Sequence, residues 1–428
     1  MKILIKNGKM IDPAGGIKKK TSILVKDGIV VKISSEIKEK PSTIIDAKGR
    51  LVVPGLIDMH THLREPGRED KETIETGLLA AASGGFTSVC AMPNTEPACD
   101  GEANVRFLLD KAREAKLSNL LPVGTITKGR RGEELTEMAE LKKAGCLAVS
   151  DDGDSVRDAE LMRRALEYAA MVDLLVISHC EDKALAAGGV MNEGYCSTVL
   201  GMKPIPAEAE TTMVERDIRL AELAGARLHI AHVSAKESVE AIRQAKKRGV
   251  KVTSEVTPHH FSLTEEDVRG FDANTKVNPP LRSADDVSAI KKALKDGTID
   301  VIATDHAPHL DNEKEREYDY APFGMIGLET ALSLSVMNLV NEGYLDWEGL
   351  IGKLAANPAK ILKYQRGTLT EGSPADITII DPEAEWVYTT ERIRSLSRNS
   401  PFVGETMKAA VTDVIVGGRV VIRDGVPA

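Results

Sequence analysis

At 428 residues, with 42% hydrophobic and 28% charged, the chain is too long for one ordinary domain and rich enough in apolar residues to bury a large core. A net charge of −9 without a basic stripe argues against a nucleic-acid partner, and no run of 18 apolar residues marks a membrane-spanning helix. The amino-terminal MKILIKNGKM lacks the apolar stretch of a signal peptide, and five cysteines without a CxxC pair argue against a disulfide framework, so the expected location is the cytoplasm.

In chain order, residues 3–6, 22–26 and 29–33 are short β-branched runs separated by Asn7-Gly8 and Asp27-Gly28 turn signals. From about residue 54 the pattern changes. Apolar runs at 56–62, 87–91, 120–124, 147–150, 174–179, 228–233, 251–255 and 300–304 alternate with helix-like segments such as 103–115, 134–144, 158–172, 208–224, 236–248 and 285–295. Eight strand–helix alternations predict an α/β fold, a (β/α)8 TIM-like barrel over residues 54–364. An open doubly wound sheet is the competing arrangement, and no G-x-G-x-x-G follows the first run to support its dinucleotide-binding form. The end of the chain returns to strand-like runs at 375–380, 411–416 and 419–422, with Gly417-Gly418 as a tight turn. Residues 1–53 and 365–428 are each too short for a convincing sandwich, so they are expected to build one small composite β-sandwich domain together.

All nine histidines fall in or beside the ends of these runs, where a barrel carries its active site. His60 and His62 have the i, i+2 spacing that puts two imidazoles on one strand face, as metal ligation requires. His179 ends the fifth run. His229 and His232 have opposite parity; His232, nearer the strand end, is the expected ligand, and His229 is expected to be packed or solvent-facing. In Ser150-Asp151-Asp152-Gly153 a carboxylate is placed to bridge two cations, while Asp151 is expected to cap the following helix. Asp305, in the stretch 303–309, is placed to take a proton from metal-activated water and return it to a leaving nitrogen, the proton transfers of amide hydrolysis. The densely charged segment 310–320 (LDNEKEREYDY) reads as a solvated loop or a mobile lid.

With candidate ligands at the ends of strands 1, 4, 5, 6 and 8, the chain resembles the amidohydrolase superfamily and, with its split β domain, the cyclic-amide branch. Asp58-Met59-His60-Thr61-His62-Leu63-Arg64-Glu65-Pro66 and Ala303-Thr304-Asp305-His306-Ala307-Pro308-His309, with Lys314 after a gap, are similar to the dihydroorotase signatures. Met92-Pro93-Asn94-Thr95, Val277-Asn278-Pro279-Pro280 and Pro322-Phe323-Gly324 resemble the bacterial type I (class I) members.

The resemblance implies a zinc enzyme that interconverts (S)-dihydroorotate and N-carbamoyl-L-aspartate, the third step of de novo pyrimidine (UMP) synthesis. It makes His60 and His62 ligands of one zinc, His179 and His232 ligands of a second, with Asp152 between them and Asp305 as general base and acid. Arg64, Asn94 and His309 would grip the substrate carboxylate, Asn278 with the backbone at Phe323-Gly324 would meet the pyrimidine ring, and His62 would also touch the substrate. A guanidinium two residues past His62 suits a carboxylate, because its planar fork matches two oxygens at once.

One departure concerns the fourth strand, where many relatives carry a carboxylated lysine. Here Lys142 and Lys143 lie in the preceding helix and the strand ends in Asp151-Asp152, which bears on whether one or two zinc ions are held; Cys180, a soft donor beside His179, bears on the same point. The resemblance also implies a homo-oligomer and a complex with aspartate carbamoyltransferase. An allantoinase or dihydropyrimidinase, or an inactive partner of the transferase, are the competing functions.

Overall fold

The structure is a computed structural model describing residues 1–428. Eight parallel strands follow one another in chain order around one sheet: β1 (Leu56–Thr61), β2 (Phe86–Ala91), β3 (Asn119–Gly124), β4 (Ala148–Val149), β5 (Leu175–Ser178), β6 (Leu228–Ile230), β7 (Val252–Val256) and β8 (Val301–Ile302). Sequential order with all-parallel pairing is the topology of a (β/α)8 barrel. The seam between β8 and β1 is closed just beyond the strand ends. The His62 amide donates to the His306 carbonyl at 2.9 Å, and the Thr304 amide donates to the buried Asp58 carboxylate at 3.1 Å. Asp58 also accepts from the His60 amide at 3.0 Å, so one carboxylate ties the first strand to the last.

Helices cover the barrel: α1 (Ile74–Ser83), α2 (Glu102–Ala115), α3 (Met138–Ala144), α4 (Ala159–Met171), α5 (Glu208–Ala224), α6 (Lys236–Lys247) and α7 (Ala284–Asp296). Local chemistry sets their starts. Thr73, Asp158 and Ser283 accept hydrogen bonds from first-turn amides that would otherwise lack partners. A 59-residue apolar cluster packs the helices onto the strands. A second cluster draws Ile57, Cys90, Val123, Ala148, Ile177 and Val301 from six strands around the sheet, so it lies inside the barrel, and Ala359 and Leu362 join it from a C-terminal helix.

Both chain ends build one nine-stranded sheet. Leu51–Pro54 runs antiparallel to Ile377–Val387, which pairs with Thr406–Val416, while Lys2–Asp12 pairs with Ile17–Lys26, Thr43–Asp46 and Leu51–Pro54. This sheet encloses its own core of 14 apolar residues, among them Ile3, Ile23, Ile45, Ile377 and Ile415. The expected sandwich is thus realised as a continuous sheet that bends through Lys2–Asp12, where a bulge lies between Ile5 and Gly8.

Candidate metal centre and anion pocket

His60 lies within β1, and the other expected ligands follow strand ends closely, His62 after β1, Asp152 after β4, His179 after β5 and His232 after β6, as does the expected acid–base Asp305 after β8. Three residues here have left-handed backbone, Arg64 (φ 60°), His232 (φ 29°) and Asp305 (φ 49°), a conformation that non-glycine residues hold only where the surrounding structure enforces it.

Six side chains converge at the mouth. Asp152 is central: one oxygen is 3.2 Å from His60 Nε2 and 3.6 Å from both His179 Nδ1 and His232 Nε2, and the other is 3.4 Å from His62 Nε2. Asp305 Oδ1 is 3.0 Å from His62 Nε2 and 3.5 Å from His60 Nε2. His179 Nδ1 and His232 Nε2 are 2.9 Å apart. His60 is shared by two triads whose donor atoms lie within 4.8 Å of one another, His60/Asp152/His232 and His60/His62/Asp305.

Hydrogen bonds aim the imidazoles. His62 Nδ1–H donates to Asn94 Oδ1 at 2.8 Å and His60 Nδ1–H to Glu255 Oε1 at 2.7 Å, which turns the bare Nε2 of each ring towards the two aspartates. His60 Nε2 and Asp152 Oδ1 are buried without a hydrogen-bond partner. Buried polar atoms are normally paired, and imidazole with carboxylate is a donor set for zinc and its neighbours, so these residues fit a divalent metal. Burial would raise the Asp305 carboxyl, but positive charge at the neighbouring His60, the role a bound cation would take, pulls it below the usual carboxylate range.

Beside this cluster stands Arg64. Its Nε donates to the Pro308 carbonyl at 3.1 Å, and burial lowers its pKa to about 10 against the opposing pull of Asp305 and Asp152, which leaves it charged. No carboxylate lies within ion-pair distance of it. His309 is neutral, because burial and the charges of Arg64 and Lys71 act together. Its Nδ1 accepts from Lys71 Nζ at 3.3 Å and its Nε2–H donates to the Phe323 carbonyl at 2.8 Å. The 3.4 Å approach of the Arg64 guanidinium to His309 Nε2 therefore brings two donors together; the His309 proton is already given to Phe323, which leaves the guanidinium to take an anion. Asn278 is held by Glu181, with Nδ2 donating to Oε1 at 3.0 Å.

The segment 310–324 is held down at the mouth. Buried Lys314 donates to the carbonyls of Pro322 and Gly324 at 2.9 and 2.8 Å, and buried Lys276 to those of Tyr318 and Asp319 at 2.8 and 3.0 Å. Burial lowers these ammonium groups to about 7 and about 8. Gly324 N–H donates to the Lys276 carbonyl at 2.8 Å and its carbonyl accepts from Lys314, while the Phe323 carbonyl accepts from His309, so this backbone is fixed beside Arg64 and His309. Gly324 has φ 123°, and a Cβ there would come within 2.6 Å of the Ala307 Cβ and 3.2 Å of His309 Nε2. Gly324→Ala is expected to cost about 1–3 kcal/mol of stability and at least tenfold in kcat/KM, read from a denaturant midpoint and steady-state kinetics.

Several residues differ from expectation. Asp151 caps no helix; its carboxylate reaches back to the amides of Ile126 and Thr127 at 2.8 and 3.0 Å, and Asp158 caps α4. Cys180 is turned to Ser178 and Asp217, outside both donor triads, and no lysine enters them. His229 takes the packed one of its two expected places: it is fully buried and bonded to Thr253 Oγ1 and Glu255 Oε2 at 2.8 and 3.1 Å. Glu255 and Glu181 escaped the sequence reading altogether. The signal for Glu255 was an acid at the end of an expected barrel strand, and for Glu181 its position two residues past His179.

A family model described as Dihydro-orotase-like matches residues 49–238. The dihydroorotase of Pelotomaculum thermopropionicum is 54% identical over 426 residues, covering 100% of both chains, and that of Geobacter metallireducens is 55% identical over 424 residues, covering 99% of this chain and 100% of its own. Among solved structures, an L-hydantoinase (dihydropyrimidinase) from Arthrobacter aurescens superposes with a TM-score of 0.90 at 27% identity, covering 100% of this chain and 97% of its own. The hydantoinase shares the architecture at modest identity, whereas the dihydroorotases share more than half of their residues along the whole length, and it is to the dihydroorotase family that this chain belongs.

Proposed function

We propose that the chain is a type I dihydroorotase that interconverts (S)-dihydroorotate and N-carbamoyl-L-aspartate. The observation that carries this reading is Arg64: a part-buried guanidinium with no carboxylate partner, next to the His60, His62 and Asp305 cluster. Dihydroorotate differs from dihydrouracil by one carboxylate, and a charged fork held out of bulk water is the group that selects it. The amide of Asn94 serves both sides, its oxygen holding His62 and its nitrogen available to the same carboxylate. Asn278, held by Glu181, and the backbone at Phe323-Gly324, fixed by His309 and Lys314, are assigned to the ring.

The metal assigned is zinc, with His60, His62, Asp152, His179 and His232 as its holders; when bound it would supply Lewis acidity, acidifying water and polarising the scissile carbonyl. Asp305 moves the proton. In hydrolysis it accepts one from the attacking water and returns it to the ring nitrogen as the C–N bond breaks, giving a ureido NH2 and a carboxylic acid that loses its remaining proton to solvent. In cyclisation it takes the proton from the ureido nitrogen and passes it to the departing oxygen. The central place of Asp152, without a lysine, supports the type I assignment.

The test is kcat/KM for dihydroorotate, dihydrouracil, allantoin and hydantoin, with metal content measured on the same preparation. Dihydroorotate is expected to be preferred by at least 100-fold, on the scale by which a site built for a polar group rejects an analogue lacking it. Faster turnover of dihydrouracil or allantoin would sink the assignment.

A further inference from the structure

Behind His60 lies a chain of hydrogen bonds that the reaction itself does not use. Thr253 Oγ1 donates to His229 Nδ1 at 2.8 Å, His229 Nε2–H donates to Glu255 Oε2 at 3.1 Å, and His60 Nδ1–H donates to the other oxygen of the same carboxylate at 2.7 Å. His60, His229 and Glu255 are all completely buried. Both Glu255 oxygens are taken by imidazole N–H groups and Glu255 belongs to neither donor triad, so it stands behind the centre and is not one of its ligands.

We infer that Glu255, locked in place by His229, is a positioning residue that fixes the tautomer and orientation of His60 and thereby sets the affinity of the centre for its metal. The inference rests on the metal reading above. A neutral imidazole carries one N–H, and the 2.7 Å bond to Glu255 places it on Nδ1, which leaves the Nε2 lone pair facing Asp152 and Asp305. A carboxylate behind the ring also makes that lone pair a stronger donor. His229 adds rigidity: with its second oxygen held, the Glu255 carboxylate cannot turn away from His60. His60 is the one imidazole common to both triads, so its aim affects the whole centre.

The experiment is zinc affinity of the metal-stripped full-length protein by chelator competition, for the wild type, Glu255→Gln, Glu255→Ala, His229→Gln and His60→Ala. Gln keeps an acceptor for His60 but removes the charge, whereas Ala removes both. Partners of this kind typically contribute 10–100-fold to metal affinity, so about tenfold weakening is expected for Glu255→Gln and close to 100-fold for Glu255→Ala, with His229→Gln below either. Raised free zinc is expected to restore kcat in Glu255→Gln at unchanged KM, and a loss that zinc does not restore would overturn the inference. Zinc binding by His60→Ala as tight as the wild type would overturn the metal reading itself. Loss in His60→Ala with wild-type affinity in both Glu255 variants would overturn only the inference. Should Glu255→Ala fail to fold, imidazole nitrogen NMR of the zinc-loaded wild type decides: a proton on His60 Nδ1 is expected, and one on Nε2 refutes the positioning role.

Discussion

Asp305→Asn is expected to lower kcat for dihydroorotate hydrolysis and for cyclisation by about 10²–10⁴-fold, the usual weight of a positioned acid–base group. The amide has the shape of the carboxylate and still fits 3.0 Å from His62 Nε2, but it cannot take a proton from water. Both directions fall together, because one group carries the same proton each way. Metal content measured alongside separates this from loss of the centre, since Asp305 also faces His60 and His62. A metal-replete variant with more than a tenth of wild-type kcat would remove Asp305 from the role.

Arg64→Leu has the second large effect. Truncating one partner of a desolvated charge pair typically costs about 2–5 kcal/mol, so kcat/KM for dihydroorotate is expected to fall by about 30- to 5,000-fold. Arg64 is engaged with the Pro308 carbonyl and with no carboxylate, so the protein's own framework loses little. Dihydrouracil has no carboxylate to lose, and its turnover is expected to change by less than tenfold. The ratio of the two substrates is therefore the sensitive readout. An unchanged ratio would mean that the substrate carboxylate is recognised elsewhere.

Much of the barrel is legible because parallel strands buried on both faces are written as continuous apolar runs, and the residues placed just after them form the mouth. The reading failed where alternation lapses. Parity allowed only one of His229 and His232 to face inward on a strand reaching residue 233, but β6 stops at Ile230 and His232 adopts φ 29°, so both imidazoles reach the interior by different routes. Helix α1 gave no amphipathic stripe, because IETGLLAAAS is apolar on most sides and buried accordingly. Asp151 has partners 24 and 25 residues upstream, and Glu255 has one 195 residues away, distances at which sequence shows the unusual residue but not what it holds.

The sheet shared by the two chain ends has a consequence for biogenesis. Pro54 pairs with Ile377, so the strand Leu51–Pro54 leaves the ribosome more than three hundred residues before its partner. At roughly 5–20 residues per second, that is a delay on the order of tens of seconds with an unpaired, apolar edge exposed on the nascent chain. The barrel between them can assemble in that interval, whereas the terminal sheet closes last, after the strands near Thr406–Val416 have been made. Nascent chains stalled before residue 377 would carry all eight barrel strands and their helices but remain sticky at the start, the stage at which chaperone capture during synthesis would matter most.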